Sequence, residues 1–338
     1  MTKKKQTKDK MKVLVTGPDG VLGSNLVREL LSRDYEVIAM SENGKKSPTI
    51  DNLNITKIGG NLLNPEDVEA AVDGVDYVIH CAASTAMWPS KSEIVNRVNI
   101  DGTLTVINAC LKHKVKRLIY IGTANSFGSG TKLKPGTEKN AYEGERYGLD
   151  YMDSKYKAQV LVQKAVRDEG LDALVINPTF MIGPYDSKPS SGQMILSVHS
   201  RKVPGYSLGG KNFVAVKDVA FAIANALTQG RKGECYIVSN ENLTYKEAFD
   251  KIASTIGGEM VTRKLSSFTI TSFGRINSFF AKIVGYSPQV TKELAIIATE
   301  EHYYSGEKAR IELGLPQTPI ETAIDECFDW FNKNGYLK

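Results

Sequence analysis

Residues Thr16-Gly17-Pro18-Asp19-Gly20-Val21-Leu22-Gly23 follow directly on the apolar run Val13-Leu14-Val15. A short apolar strand that breaks into spaced glycines, then into an amphipathic stretch at 24–33, constrains the chain to a strand, a tight turn and a helix packed back on that strand. Gly17 allows the turn, Gly20 lets a ligand approach the backbone, and Gly23 lets the helix lie close to the strand. The free N–H groups and positive dipole end of the helix face the turn. The junction is therefore a cradle for the diphosphate of a dinucleotide. An ordinary turn between strand and helix shares the glycines but not this flanking pattern.

The rest of the first half repeats the alternation. Strands are predicted at 12–15, 36–40, 56–58, 77–81, 117–121 and 173–177, and helices at 24–33, 65–72, 92–113 and 149–169. Short apolar strands alternating with helices indicate a parallel, doubly wound sheet. The pattern changes after Pro178. Positions 183–212 read as loop, 213–216 and 235–238 as strands, 217–228 and 244–256 as helices, and the last third as mostly helical. The expected fold class is α/β: a Rossmann-type doubly wound parallel sheet with a smaller, mostly helical C-terminal substrate-binding part. The expected organisation is a disordered basic tail at 1–10, a dinucleotide-binding domain at 11–180 and a substrate-binding region at 181–338. Residues 213–240 are expected to return to the main sheet.

Charge and composition exclude several classes. The net charge is +5, but the first ten residues carry five Lys and one Asp, so the remainder is near neutral. A folded basic face for nucleic acid is not expected. No apolar stretch follows the N-terminal lysines as a secretion signal requires, and no run is long enough to span a membrane, so no stable membrane insertion is expected. Cys81, Cys110, Cys235 and Cys327 are scattered, as are His80, His113, His199 and His302. That spacing predicts neither disulfides nor a metal site and fits a reducing cytoplasm.

Tyr151 and Lys155 stand four residues apart in a predicted helix, which places them on one face. A free phenol has a pKa of about 10, so bringing it near 7 takes ~4 kcal/mol of differential stabilisation. A neighbouring ammonium favours the phenolate and supplies part of that. Such a pair can work as an acid/base. The strand at 117–121 ends in Gly122-Thr123-Ala124-Asn125-Ser126. Ligands of such sheets bind at the carboxyl ends of strands, so Thr123 is placed to hydrogen-bond a carbonyl oxygen, with Ser126 as second choice.

Taken together these residues resemble the extended short-chain dehydrogenase/reductases. The resemblance runs from residue 12 to the end. It rests on Thr16 to Gly23, on Asn61-Leu62, on His80-Cys81-Ala82-Ala83-Ser84, on Asn99-Ile100-Asp101-Gly102-Thr103 and on Tyr151 with Lys155. Asn177-Pro178-Thr179-Phe180-Met181-Ile182-Gly183-Pro184 and the ending Trp330 to Leu337 are similar to the dihydroflavonol reductase and 3β-hydroxysteroid dehydrogenase branch.

The resemblance implies hydride transfer between a nicotinamide and a ketone or secondary alcohol. Tyr151 would be the acid/base, Lys155 would lower its pKa and hold the ribose, and Thr123 would orient the carbonyl. It implies cofactor contacts at Gly17, Asp19, Gly20, Val21, Leu22, Gly23, Ser41, Glu42, Asn61, Leu62, Cys81, Ala82, Ala83, Asn99, Tyr151, Lys155, Asn177, Pro178 and Thr179. It also implies a homodimer through the helices at 92–113 and 149–169.

The cofactor is NAD(H) or NADP(H). Glu42 would repel a 2′-phosphate and favours NAD, whereas Lys45 and Lys46 are able to pair with one. For the substrate, Met87, Trp88, Phe180, Met181 and Phe213 suggest an apolar small-molecule carbonyl or alcohol. The family's flavonoid reductases carry a ring-binding Asn about where Gly128 stands, which disfavours a flavonoid. The alternative is a nucleotide-sugar epimerase with retained NAD. A dehydratase is disfavoured because Ala124-Asn125 stand where such enzymes carry Asp-Glu. A non-catalytic binding protein is disfavoured because Tyr151 and Lys155 are both present. The segment 268–284 places apolar residues at helical spacing. It reads as a core-packed helix, with a lid over an apolar substrate or a membrane-surface helix as the other readings.

Overall fold

The computed structural model describes residues 10–44, 47–288 and 290–337. The expected tail, apart from Lys10, and the Lys45-Lys46 pair lie outside the described residues. The strands are β1 Lys12–Thr16, β2 Glu36–Ser41, β3 Thr56–Gly59, β4 Tyr77–His80, β5 Arg117–Ile121, β6 Ala173–Pro178, β7 Phe180–Ile182, β8 Gly210–Ala215, β9 Cys235–Val238, β10 Glu241–Thr244 and β11 Glu301–His302. The helices are α1 Val21–Ser32, α2 Pro65–Val72, α3 Glu93–Asn96, α4 Gly102–His113, α5 Asp150–Asp168, α6 Gln193–His199, α7 Val216–Ala226, α8 Tyr245–Ile256, α9 Ser267–Val284, α10 Lys292–Ile297, α11 Glu307–Leu313 and α12 Ile320–Lys333.

Seven strands form one parallel sheet in the order β3-β2-β1-β4-β5-β6-β9. Its central strands bury their apolar residues, Val13, Leu14, Val15, Val78, Ile79, Leu118 and Ile119 among them. Apolar residues face both ways because helices cover both sides. One layer packs Leu22, Leu26 and Leu30 of α1 with Val219 and Ile223 of α7 against the sheet. The other packs Val106 and Cys110 of α4 with Ala158 and Val162 of α5. The chain leaves β1 for one side and β4 for the other, and this switch point opens the cleft where a ligand fits.

A second, smaller sheet is centred on β8. It pairs antiparallel with β10 and parallel with β7 and β11. The stretch 213–240 is therefore divided. Cys235–Val238 joins the main sheet, whereas Phe213–Ala215 lies in the small one and does not return as expected. Helices α6, α8 and α12 cover the small sheet through Ile195, Ile252, Ile324 and Phe331. Helix α8 starts on a reciprocal cap in which Thr244 accepts from the Glu247 backbone and Glu247 accepts from the Thr244 backbone.

Two expectations about helices change. The predicted helix at 92–113 is interrupted by a π turn at Arg97–Asp101 between α3 and α4. The predicted helix at 268–284 forms as α9 but is not core-packed. Only Gly274, Ser278 and Ala281 are buried, while Phe268 is 80% exposed, Phe279 62% and Ile283 66%. The small residues are the ones turned inward because α10 lies too close for anything larger: a Cβ on Gly274 would stand 2.5 Å from the Ala295 Cβ. No helix among the described residues is long and apolar enough to cross a membrane.

Candidate active site

The glycine junction has the geometry that its spacing predicts. Gly17 has φ +67°, and a Cβ there would stand 2.7 Å from the Ala82 Cα. A Cβ on Gly23 would stand 2.1 Å from the Gly17 carbonyl oxygen, so α1 packs on the turn only because both lack side chains. Gly20 is different. Its missing Cβ would meet only the Gly17 carbonyl oxygen, at 3.8 Å. A side chain there would stand in the cleft instead. Gly20 is also the N-cap of α1, without a side-chain cap and with no acidic residue in the first turn. The first N–H groups of the helix are thus left for an anion. These features fit a dinucleotide diphosphate.

The cleft runs along the carboxyl edge of the sheet in two lobes of about 450 Å³ each. The first lobe brings together Asp19, Ser41, Glu42, Asn61, Leu62, Ala82 and Ala83 with Lys188. The second brings together Gly17, Gly20, Val21, Leu22, Gly23, Cys81, Ala82, Ala83, Thr123, Tyr151, Lys155, Pro178 and Thr179. Two expected contact residues lie behind the wall instead. Asn99 is buried, accepts from the Ser84 backbone N–H at 2.8 Å and donates to the Ser154 hydroxyl at 2.9 Å. It braces the segment after β4 against α5. Asn177 is buried and donates to the Thr123 carbonyl at 3.0 Å and to Gln159 at 2.7 Å. It braces the Thr123 turn. Both have spent their amide protons on the protein, which is why neither reaches the cleft.

Tyr151 and Lys155 project from the first two turns of α5. The Asp150 carboxylate ties this end of the helix down, accepting from the Ser92 backbone at 2.7 Å and the Asn96 amide at 3.0 Å. Lys155 is 4% exposed and donates to the Ile121 carbonyl at 2.6 Å, with its amine over the Tyr120 ring. Burial pulls Lys155 down to about 7. Burial raises the Tyr151 phenol above its ordinary value, and a hydrogen bond with Thr123 pulls the other way. Lys155 contributes no resolved lowering of the phenol here. The amine is directed at the Ile121 carbonyl, and desolvation of the phenol dominates.

A further support was not legible as such. His80 shares hydrogen bonds with Thr16 at 2.8 Å and Thr103 at 3.2 Å, linking β1, β4 and α4 beneath the cleft. Burial first, then Lys155, pulls His80 down to about 3, so it stays neutral.

Beside Tyr151 opens a second cavity of about 180 Å³. Met87, Thr123, Ala124, Asn125, Leu149, Met152, Phe180, Lys211, Leu294, Ile297, His302 and Tyr304 are among the residues lining it. It is smaller than the ~300–1,000 Å³ that drug-sized ligands fill. Of the expected substrate residues, Met87 and Phe180 are here and four are not. Phe213 is buried in the C-terminal core behind Phe180, which meets it edge-on at 5.4 Å. Met181 faces the cofactor cleft instead. Trp88 does not line the cavity, although its neighbour Met87 does. Ser126 is 1% exposed because the tight turn Ala124–Ser126 carries it round into the protein. Leu294, Ile297 and His302 come from more than 100 residues beyond α5, and no local pattern marks them.

The cradle, the Tyr-x-x-x-Lys helix and the strand order decide the family. The chain belongs to the NAD dependent epimerase/dehydratase family. The family's model matches residues 13–239. The chain is 29% identical over 329 residues to a putative dihydroflavonol 4-reductase of Synechocystis, covering 96% of this chain and 95% of that one. It is 30% identical to the 2-alkyl-3-oxoalkanoate reductase of Stenotrophomonas maltophilia, covering 93% and 97%. The solved structure of gox2253 superposes with a TM-score of 0.85 at 30% identity, covering 98% of this chain and all of that one. The chain is an NAD(P)-dependent enzyme of the reductase and dehydrogenase kind, acting on a small molecule.

Proposed function

We propose that the chain interconverts a ketone and a secondary alcohol on an apolar framework, with Tyr151 as the acid/base. The observation that carries this reading is the cavity in which Tyr151 and Thr123 meet both the cofactor cleft and the walls made by Met87, Phe180, Leu294 and Ile297. The nicotinamide, when bound, supplies or accepts the hydride. Thr123 offers its hydroxyl to the carbonyl oxygen. The half-buried phenol of Tyr151, held above its ordinary value, stays protonated at neutral pH and gives its proton to that oxygen in reduction. Lys155 holds the cofactor ribose. The small cavity favours this reading over a nucleotide-sugar epimerase, whose substrate brings a diphosphate that needs several cations.

NAD is the preferred cofactor because Glu42 stands on the wall of the lobe that takes the adenosine end. A panel of apolar ketones and alcohols with both cofactors, followed by nicotinamide absorbance, tests the reaction and the preference together. Net turnover with NAD at least tenfold above NADP is expected, a margin of ~1.4 kcal/mol. Glu42→Arg should reverse it, since a guanidinium pairs with a 2′-phosphate. Cofactor that stays bound without net turnover would replace this reading with the epimerase one.

The enzyme is also read as a homodimer through the outer faces of α4 and α5. Leu104 and Val160 are exposed there, at 42% and 41%, with Ile94 beside them on α3. Leu104→Arg should move the sedimentation coefficient to that of a monomer. A wild-type chain that already sediments as a monomer removes the dimer.

A further inference from the structure

The substrate cavity contains a cation with nothing to neutralise it. Lys211 stands on β8 and lines the same space as Tyr151 and Thr123. Its amine lies 4.8 Å from the centroid of the Phe180 ring. Among the described residues, no carboxylate forms an ion pair with it and no group accepts its hydrogen bond. The neighbouring groups explain why. His302, beside Lys211 on β11, is pulled down to about 4 by burial first and Lys211 second, and so is neutral. Glu300, which lies 3.9 Å from His302, is taken up by Arg146 and by the Tyr147 hydroxyl. Asn212 is occupied by Thr179 and Asn242.

Lys211 is half-buried, and an ammonium withdrawn from water without a partner is costly and is retained where something else pairs with it. We propose that Lys211 seats a carboxylate of the substrate, so that the enzyme takes oxo acids or hydroxy acids whose reacting carbon lies at Tyr151. This rests on the ketone–alcohol reading above and narrows it. The charge count selects the ligand. One ammonium beside a neutral imidazole matches a monoanion, whereas a phosphate or diphosphate brings two or more charges. The apolar walls from Met87, Phe180, Leu294 and Ile297 take the rest of the acid. Burial pulls Lys211 down to about 8, which leaves it mostly charged at neutral pH, and a bound carboxylate would hold it charged.

The test compares a 3-hydroxy fatty acid with its methyl ester, in the wild-type enzyme and in Lys211→Met and Lys211→Arg. Met keeps the length of the stem without the charge. The wild type should favour the acid over the ester at least tenfold in kcat/KM, mainly through KM. Lys211→Met should bring that ratio to near one, and Lys211→Arg should restore most of it. Calorimetry of the acid with each variant runs in parallel and needs no turnover. Binding to wild type and Arg but not to Met supports the carboxylate seat even if neither compound is oxidised, in which case the ketone–alcohol reading fails alone. Equal use of acid and ester by the wild type, or equal binding of the acid by wild type and Lys211→Met, overturns the proposal.

Discussion

Tyr151→Phe is expected to lower turnover by roughly 10³-fold or more while nucleotide binding persists, within the 10²–10⁴ that positioned acid/base groups contribute. The reasoning is local. Phenylalanine keeps the ring that packs between the cleft and the cavity and removes only the transferable proton. Nucleotide binding relies on the glycine junction, Lys155 and the first lobe, none of which touches the phenol's hydrogen. Stopped-flow absorbance of the nicotinamide with the best ketone, alongside titration of cofactor binding, gives both numbers. Undiminished reduction in the variant would remove Tyr151 from the chemistry. The wild-type pH profile carries a linked expectation. Because burial raises the phenol above its ordinary value, reduction should hold through neutral pH and fall only as alkaline pH strips the proton. Oxidation should rise over that same alkaline range.

Gly17→Val should abolish cofactor binding and lower the melting temperature. A β-branched residue at φ +67° is strained by ~1–3 kcal/mol. Its Cβ would also stand 2.7 Å from the Ala82 Cα and 2.8 Å from the Ala82 nitrogen, both backbone atoms that cannot swing aside. Relief requires β1 and the segment after β4 to separate, and that opens the cradle itself. Loss of at least 100-fold in nucleotide affinity is expected, ~2.8 kcal/mol. Gly20→Ala serves as the companion measurement. Its Cβ meets only ordinary contact, so the fold should keep its melting temperature while affinity falls. A Gly17→Val chain that binds nucleotide as the wild type does would show that the cradle lies elsewhere.

Much of the main sheet was legible because its signals are local. Val13 to Gly23 states a strand, a turn and a helix within eleven consecutive residues. The helix spacing of Tyr151 and Lys155 needs no knowledge of the rest of the chain. The substrate side was legible only as a tendency to be apolar. Phe180 and Phe213 read alike in sequence, yet one lines the cavity and the other is covered by it. Asn99 and Asn177 read as ligand contacts, and both turn out to brace the wall. The hydrophobic spacing of 268–284 predicted a helix correctly but not its burial, since a neighbouring helix, not the helix itself, decides which side is covered.

What the sequence by itself determined is the dinucleotide cradle, the alternating parallel sheet and the acid/base pair on one helix face. Each depends on residues within a few positions of one another, where backbone sterics and helical period act directly. Only the tertiary structure decided what that pair faces. The pairing of β8 with β7, β10 and β11 brings Lys211 beside Phe180 and His302, and α10 adds Leu294 and Ile297 from far along the chain. Which side chain reaches a cavity, and which cation is left without a partner, depends on packing between distant segments.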